Sequence, residues 1–277
     1  MGGLVRLARP LNCVMSAVGV GIGGIVAVGT QAWGEFAIPL ALAGLAAASF
    51  TAGGNALNDI YDRTTDAINH PDRPLPAGQI TLAGAKAFAG SAFALAALLA
   101  FFVNLWVVAI VAFNAALMFA YESTLKARGG PGNVAIAFLV ASLFVFGGVA
   151  TYRASPDPII RTAFLGSLAF CATLGREITK DIEDMGGDVD RRTLPQRIGA
   201  TRAGQVAAAA LILGVVLSFL PLYYEVLSLG YAVLVVPADG TFIYAALHSA
   251  ANPARSQRVT KYGMIIALAA FLAGAFL

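Results

Sequence analysis

Six aspartates repeat one spacing: Asp59, Asp62 and Asp66 follow one long apolar stretch, and Asp181, Asp184 and Asp188 follow another, each at offsets 0, 3 and 7. On a continuing helix those offsets fall within about 60° of one another, so each triplet would form a single stripe. One turn earlier the repeat persists, with Asn55 and Glu177 each four residues ahead of the first aspartate. Facing carboxylates repel, more so in the low dielectric near a membrane edge, and something positive must sit between them. Clusters of hard oxygens suit Mg²⁺ or Ca²⁺ rather than zinc, and Mg²⁺ is commonly shared between a few carboxylates and substrate phosphates. Asp59, Asp62, Asp181 and Asp184 are the expected catalytic residues, and with Asp66, Asp188 and Asn55 the expected metal ligands. Solvated helix ends that pair with Arg63, Arg73 and Lys180 would explain one such motif, but not two of equal spacing. Cys13, Cys171, His70 and His248 are isolated and offer no zinc spacing.

The elements that carry these aspartates are read from hydropathy. The chain is 58% hydrophobic and 12% charged with a mean hydropathy of +0.77, which marks a membrane protein. Apolar runs long enough to cross the hydrocarbon as helices occupy 11–28, 36–57, 82–103, 105–121, 133–151, 159–179, 203–221, 226–247 and 261–277. The first run, preceded by Arg6 and Arg9, imitates a signal peptide, but it lacks a small-x-small cleavage site and is read as a retained helix. Nine alternating spans put sixteen of the eighteen basic residues on the side of the amino terminus and leave only Arg153 and Arg161 on the other. Basic loops stay cytoplasmic, so the amino terminus and both motifs are expected to face the cytosol and the carboxyl terminus the outside.

No soluble domain can be cut out, and residues 1–277 are read as one integral-membrane unit with motifs at 55–66 and 177–188. The two motifs form a weak internal repeat, four helices long and parallel, which would let the stripes face each other across a bundle. Gly53 and Gly54 would permit close helix approach. Gly19, Gly21, Gly23 and Gly24 look superficially like a nucleotide fingerprint, but no strand precedes them and helix packing is the reading kept. Asp239, after Pro237 inside the eighth span, is an intramembrane acid and a candidate for function or for a buried polar partnership.

The motifs Asn55-x-x-Asn58-Asp59-x-x-Asp62-x-x-x-Asp66, Arg73-Pro74-Leu75-Pro76-x-Gly78 and Asp181-x-x-Asp184-x-x-x-Asp188 resemble those of UbiA-type intramembrane prenyltransferases. The resemblance covers essentially the whole chain. It implies an all-α, polytopic bundle of nine transmembrane helices around a central cavity. In it an isoprenyl diphosphate donor is held by Mg²⁺, two ions being expected, between the Asp-rich motifs. Ionisation of the carbon–oxygen bond then gives an allylic cation that an acceptor traps. Asn58, Arg63, Lys126, Arg128 and Lys180 become the expected diphosphate-binding residues, and Arg9, Asn12 and Tyr121 the expected acceptor-binding ones. Tyr61, Tyr121, Phe119 and Phe144 are candidates for stabilising the cation through their ring faces. The stiff, proline-rich segment from His70 to Pro76 is expected to cover the site as a lid. Neutralising Asp59 or Asp181 is expected to abolish turnover and, by relieving repulsion, to leave a fold at least as stable.

Three stretches, Arg9 to Cys13, Gly54 to Asp62 and Gly175 to Asp188, are most similar to the archaeal branch that attaches a second geranylgeranyl chain to a glycerol phosphate lipid. The nucleophile is then the sn-2 hydroxyl of the acceptor and the product an ether. That branch usually continues the second motif with an acid and one glycine, whereas here Met185 precedes Gly186 and Gly187, which should end the helix and make Asp188 the less secure ligand. An aromatic-acid prenyltransferase, with Arg9 or Arg63 toward the acceptor carboxylate, is the second reading. A divalent-cation transporter is a third, disfavoured because transporters often place sites near midplane between inverted repeats. No nucleic-acid partner is expected.

Overall fold

The computed structural model describes residues 2–30, 32–152, 157–186 and 192–276. Its helices are α1 (Gly3–Ala8), α2 (Pro10–Val28), α3 (Ala37–Tyr61), α4 (Arg63–Asn69), α5 (Leu82–Phe101), α6 (Leu105–Ala120) and α7 (Gly130–Ala150). They continue with α8 (Asp157–Asp184), α9 (Leu194–Ile198), α10 (Ala200–Leu217), α11 (Leu220–Tyr223), α12 (Leu229–His248) and α13 (Pro253–Phe276). There is no strand among the described residues. Among the described residues nine helical segments are long and apolar enough to cross a membrane, one for each apolar run. Large apolar side chains point outward on many of them, Leu11, Ile38, Leu105 and Leu229 being more than 70% exposed. In water that surface would be a large penalty; against lipid it is the favourable arrangement.

Short helix-to-helix links are set by local chemistry. Thr81 caps α5 by accepting from the Gly84 amide at 3.0 Å. Asn104 caps α6 by accepting from the Val107 amide at 2.9 Å, and its own amide donates to the Val149 carbonyl at 3.0 Å, tying that turn to the end of α7. Pro10 and Pro131 stand in the first turns of α2 and α7, where no intrahelical donor is lost.

The spans pack as two groups that share α2 and α7. One core joins Val20, Leu40, Ala43, Val107 and Phe146, from α2, α3, α6 and α7, with Ala96 of α5. The other joins Ile22, Phe144, Leu165, Tyr231 and Phe271, from α2, α7, α8, α12 and α13. At the shared seam α2 and α7 approach so closely that a Cβ on Gly23 would fall on the Phe144 carbonyl, and one on Gly147 on the Val20 carbonyl. The glycine run in α2 is thus a packing device, as its lack of a preceding strand suggested. Gly53 and Gly54 likewise lie against Phe93 and Met118.

The helices bearing the motifs are longer than a span requires. At 1.5 Å per residue, α3 is about 37 Å long and α8 about 42 Å, against roughly 30 Å of hydrocarbon. Their last turns therefore project beyond the apolar layer, and those turns carry the polar repeat.

Candidate active site

Between the two groups lies a cavity of about 970 Å³. One wall presents Arg9, Asn12, Asn55, Asn58, Tyr121 and Glu122; the facing wall presents Arg176, Glu177, Lys180 and Lys261. Deeper in, the lining turns apolar, with Phe50, Val111, Phe144, Leu168, Leu268 and Phe271. A polar mouth over a hydrocarbon-lined body suits a molecule with a charged head and a long apolar tail. Both repeats thus reach one cavity.

The first motif is not one unbroken stripe. Helix α3 stops at Tyr61, Asp62 occupies the junction, and α4 restarts at Arg63. The break sends the acids in different directions. Asp59, 2% exposed, receives a short hydrogen bond from Arg9 Nη2 and has Arg73 Nη1 at 3.6 Å. Asp66, also buried, is paired with the same Arg73 at 2.5 Å. Asp62 turns the other way, to Lys126 Nζ at 2.6 Å. Lys126 also reaches Glu122 at 3.0 Å and lies over the Tyr121 ring at 5.7 Å. Asn58 ties these groups together: its amide donates to Glu122 at 2.9 Å and to Asp62 at 3.2 Å, while its oxygen faces Arg9 at 3.5 Å. Arg9 itself has a left-handed backbone, φ 51°, at the junction of α1 and α2. Holding a non-glycine there costs free energy that the two hydrogen bonds to Asn58 and Asp59 offset.

These pairings reverse the expected effect of neutralising Asp59 on stability. The carboxylate lies between two arginines, one of which it shares with Asp66, and its removal leaves two guanidinium groups partly uncompensated. The segment from His70 to Gly78 contributes no residue to the lining of this cavity. Arg73 pins it from beneath, and Arg6 holds its outer edge through the Asp72 carbonyl at 2.7 Å and Gln79 at 3.2 Å.

The second motif stays helical through Asp184, after which Met185 and Gly186 turn. Glu177 and Asp181, one turn apart, share a face. Glu177 pairs with Arg176 at 2.7 Å, and Asp181 accepts from Asn133 of α7 at 2.9 Å. Asp184 and Lys180 are exposed and have no polar partner among the described residues. Asp188 lies outside the described residues. Lys261, exposed on α13, likewise has no carboxylate partner among them. The Nε of Arg176 is buried without an acceptor.

Of the residues singled out in the sequence, Asn55, Asn58, Lys180, Arg9, Asn12 and Tyr121 line the cavity. Asp62 and Lys126 stand immediately behind Asn58 and Glu122, and Asp181 lies one turn beyond Glu177. Arg63 lies elsewhere, in a separate depression with Thr64, Leu75 and Leu82, and Arg128 is exposed and off the cavity wall. Among the aromatic candidates Tyr121 and Phe144 line the cavity; Tyr61 and Phe119 do not. Asp239 accepts from Ser218 at 2.7 Å, deep in the same cavity wall. Glu122, Asn133, Arg176 and Lys261 were not foreseen as site residues. For Glu122 a signal existed, the i,i+4 spacing to Lys126 that favours an ion pair.

All donors in this region are oxygens, from Asn55, Asn58, Asp62 and Glu122 on one wall and Glu177 and Asp181 on the other. Among the described residues no three acidic, histidine or cysteine side chains converge on one point. Such a set fits a hard divalent cation that takes its remaining ligands from a substrate, and the Lys126 ammonium already bridges Asp62 and Glu122 as a positive charge.

A digeranylgeranylglyceryl phosphate synthase of Methanopyrus kandleri is 38% identical over 278 residues, covering 99% of each chain. One from Halobacterium salinarum is 40% identical over 276 residues, covering 98% of this chain and 96% of the relative. A solved structure of a digeranylgeranylglyceryl phosphate synthase is 30% identical, superposes with a TM-score of 0.81, and covers 99% of this chain and 97% of its own. A UbiA homologue from Archaeoglobus fulgidus, solved with GPP and Mg²⁺, shares the fold at a TM-score of 0.66 and 17% identity, covering 98% of both chains. The model of the UbiA prenyltransferase family matches residues 16–274. With nearly every residue inside that match, and the fold shared from end to end, the chain belongs to the UbiA prenyltransferase family.

Proposed function

We propose that the protein transfers the geranylgeranyl group of geranylgeranyl diphosphate to the sn-2 hydroxyl of geranylgeranylglyceryl phosphate, with Mg²⁺, to form the second ether of an archaeal-type lipid. The observation that carries this reading is the cavity itself, whose polar mouth receives residues of both motifs and whose apolar body is shaped for hydrocarbon. The names of the full-length relatives support the choice of acceptor, and the homologue solved with GPP and Mg²⁺ supports the choice of metal.

Asp62, with Asn58, and Asp181 are the proposed metal-holding residues on the two walls, aided by Glu122 and Glu177. Bound Mg²⁺ supplies Lewis-acid neutralisation of the charge that develops on the departing diphosphate. Lys126 and Lys180 add positive charge at that end of the cavity. The carbon–oxygen bond of the allylic diphosphate breaks, its electron pair leaves with pyrophosphate, and the acceptor oxygen bonds to the allylic carbon and loses a proton. Phe144 and Tyr121 offer ring faces along the wall where the allylic cation passes, and the apolar lining keeps water from it. Asp59 and Asp66, each paired with arginine, are assigned to hold the α3–α4 junction and Arg9 in place. The end that carries both motifs and most basic residues faces the cytosol in this reading.

Pyrophosphate release from geranylgeranyl diphosphate by detergent-solubilised protein tests it. Release that needs both Mg²⁺ and geranylgeranylglyceryl phosphate, and stops on chelation, is expected. Product with 4-hydroxybenzoate alone would replace the acceptor, and release with neither would point to another one.

A further inference from the structure

The two anionic head groups that the proposed reaction brings together need separate places, and the second wall has cations the mechanism above leaves unused. Around the first motif Arg9, Arg73 and Lys126 are each held by carboxylates. Across the cavity, Lys261 has no carboxylate partner among the described residues, and Arg176 spends one Nη on Glu177 while its Nε stays buried and unpartnered. A buried donor without an acceptor is costly in a folded protein and is relieved by a ligand that accepts from it.

Helix register brings these two cations to one level. Antiparallel α8 and α13 pack together, and Ala169 and Leu268 both pack against the same core cluster. Two turns toward the motif end, the cavity-facing positions of the two helices become Arg176 and Lys261. Arg176 lies five residues before Asp181 on α8, about 7 Å deeper into the membrane at 1.5 Å per residue. An allylic carbon lies on the membrane side of its diphosphate. A head group at the level of Arg176 and Lys261 therefore has its hydroxyl beside that carbon rather than beside the metal-bound oxygens.

Resting on the acceptor proposed above, we infer that Arg176 and Lys261 form a phosphomonoester-binding site that holds the acceptor's glycerol phosphate. Arg176 supplies a planar fork and Lys261 a mobile point charge, a common division of labour in phosphate recognition. The acceptor's tail then runs down the α8 and α13 wall, past Met264, Ile265 and Leu268. The donor's tail keeps the opposite wall, past Phe50 and Val111.

Steady-state kinetics of Lys261→Gln, with geranylgeranylglyceryl phosphate and with its dephosphorylated counterpart, test the site. Lys261 is exposed, and a monodisperse gel-filtration peak confirms that the variant folds. The expected result is a KM for the phosphorylated acceptor raised about tenfold or more, as loss of one charge-assisted contact implies. The donor KM should hold, discrimination between the two acceptors should shrink, and Lys261→Arg should recover most of it. A donor KM that rises while the acceptor KM holds would assign these cations to the diphosphate and overturn the site. Unchanged constants would make Lys261 a membrane-surface anchor and overturn it as well. Wild-type protein that fails to turn over the phosphorylated acceptor would remove the parent reading first, a result visible before any variant is made.

Discussion

Along the first motif Arg9, Arg73 and Lys126 already have carboxylates, in a network that runs from Asp66 through Asp59 and Asn58 to Asp62 and Glu122. Along the second, Lys180 and Lys261 have none among the described residues, and Arg176 keeps a buried nitrogen without an acceptor among them. Two segments with the same spacing of acids have thus been put to different uses. The first is a rigid, self-neutralised scaffold whose geometry does not wait for a ligand. The second leaves Lys180, Lys261 and one nitrogen of Arg176 without a partner among the described residues and is the side on which an anion gains most. Identical spacing does not produce identical environments, because the partners come from elsewhere in the chain: the α1–α2 junction, the segment that follows α6 and the 70–78 segment for the first motif, and α7 for the second.

The largest effect is expected where the two walls act together. Asp62→Asn and Asp181→Asn should each reduce pyrophosphate release by about 10³-fold or more, the scale of losing charge stabilisation at a departing oxygen. Retained activity in either variant would remove that residue from the proposed metal-holding set. Asp59→Asn separates scaffold from site. Removing a buried carboxylate from between Arg9 and Arg73 should cost about 2–3 kcal/mol, read as a lowered melting temperature in detergent. An unchanged or raised melting temperature would mean that acid–acid repulsion prevails after all. Glu122→Gln keeps the hydrogen bond from Asn58 but weakens the grip on Lys126, and about a tenfold loss of turnover is expected with little change in melting. Smallest of all is Arg63→Ala, off the cavity, for which less than about a twofold change in turnover is expected.

Nine spans were legible because hydropathy alone reports them. Their polar ends were less so. The apolar runs stop at residues 57 and 179, yet α3 and α8 continue to Tyr61 and Asp184, since a helix need not end where its hydrophobicity does. The break at Asp62 carries no glycine or proline to announce it, whereas the stop after Asp184 is announced by Gly186 and Gly187. Arg9 as the partner of Asp59, and the orphaned nitrogen of Arg176, depend on packing between helices far apart in the chain, which no local pattern encodes.

The most direct measurement is a structure of the protein with Mg²⁺ and a non-hydrolysable isoprenyl diphosphate. The diphosphate is expected between Asp62 with Asn58 on one wall and Asp181 on the other, its tail in the apolar body of the cavity. A diphosphate bound against one motif alone, or outside the space between α3 and α8, would contradict the account.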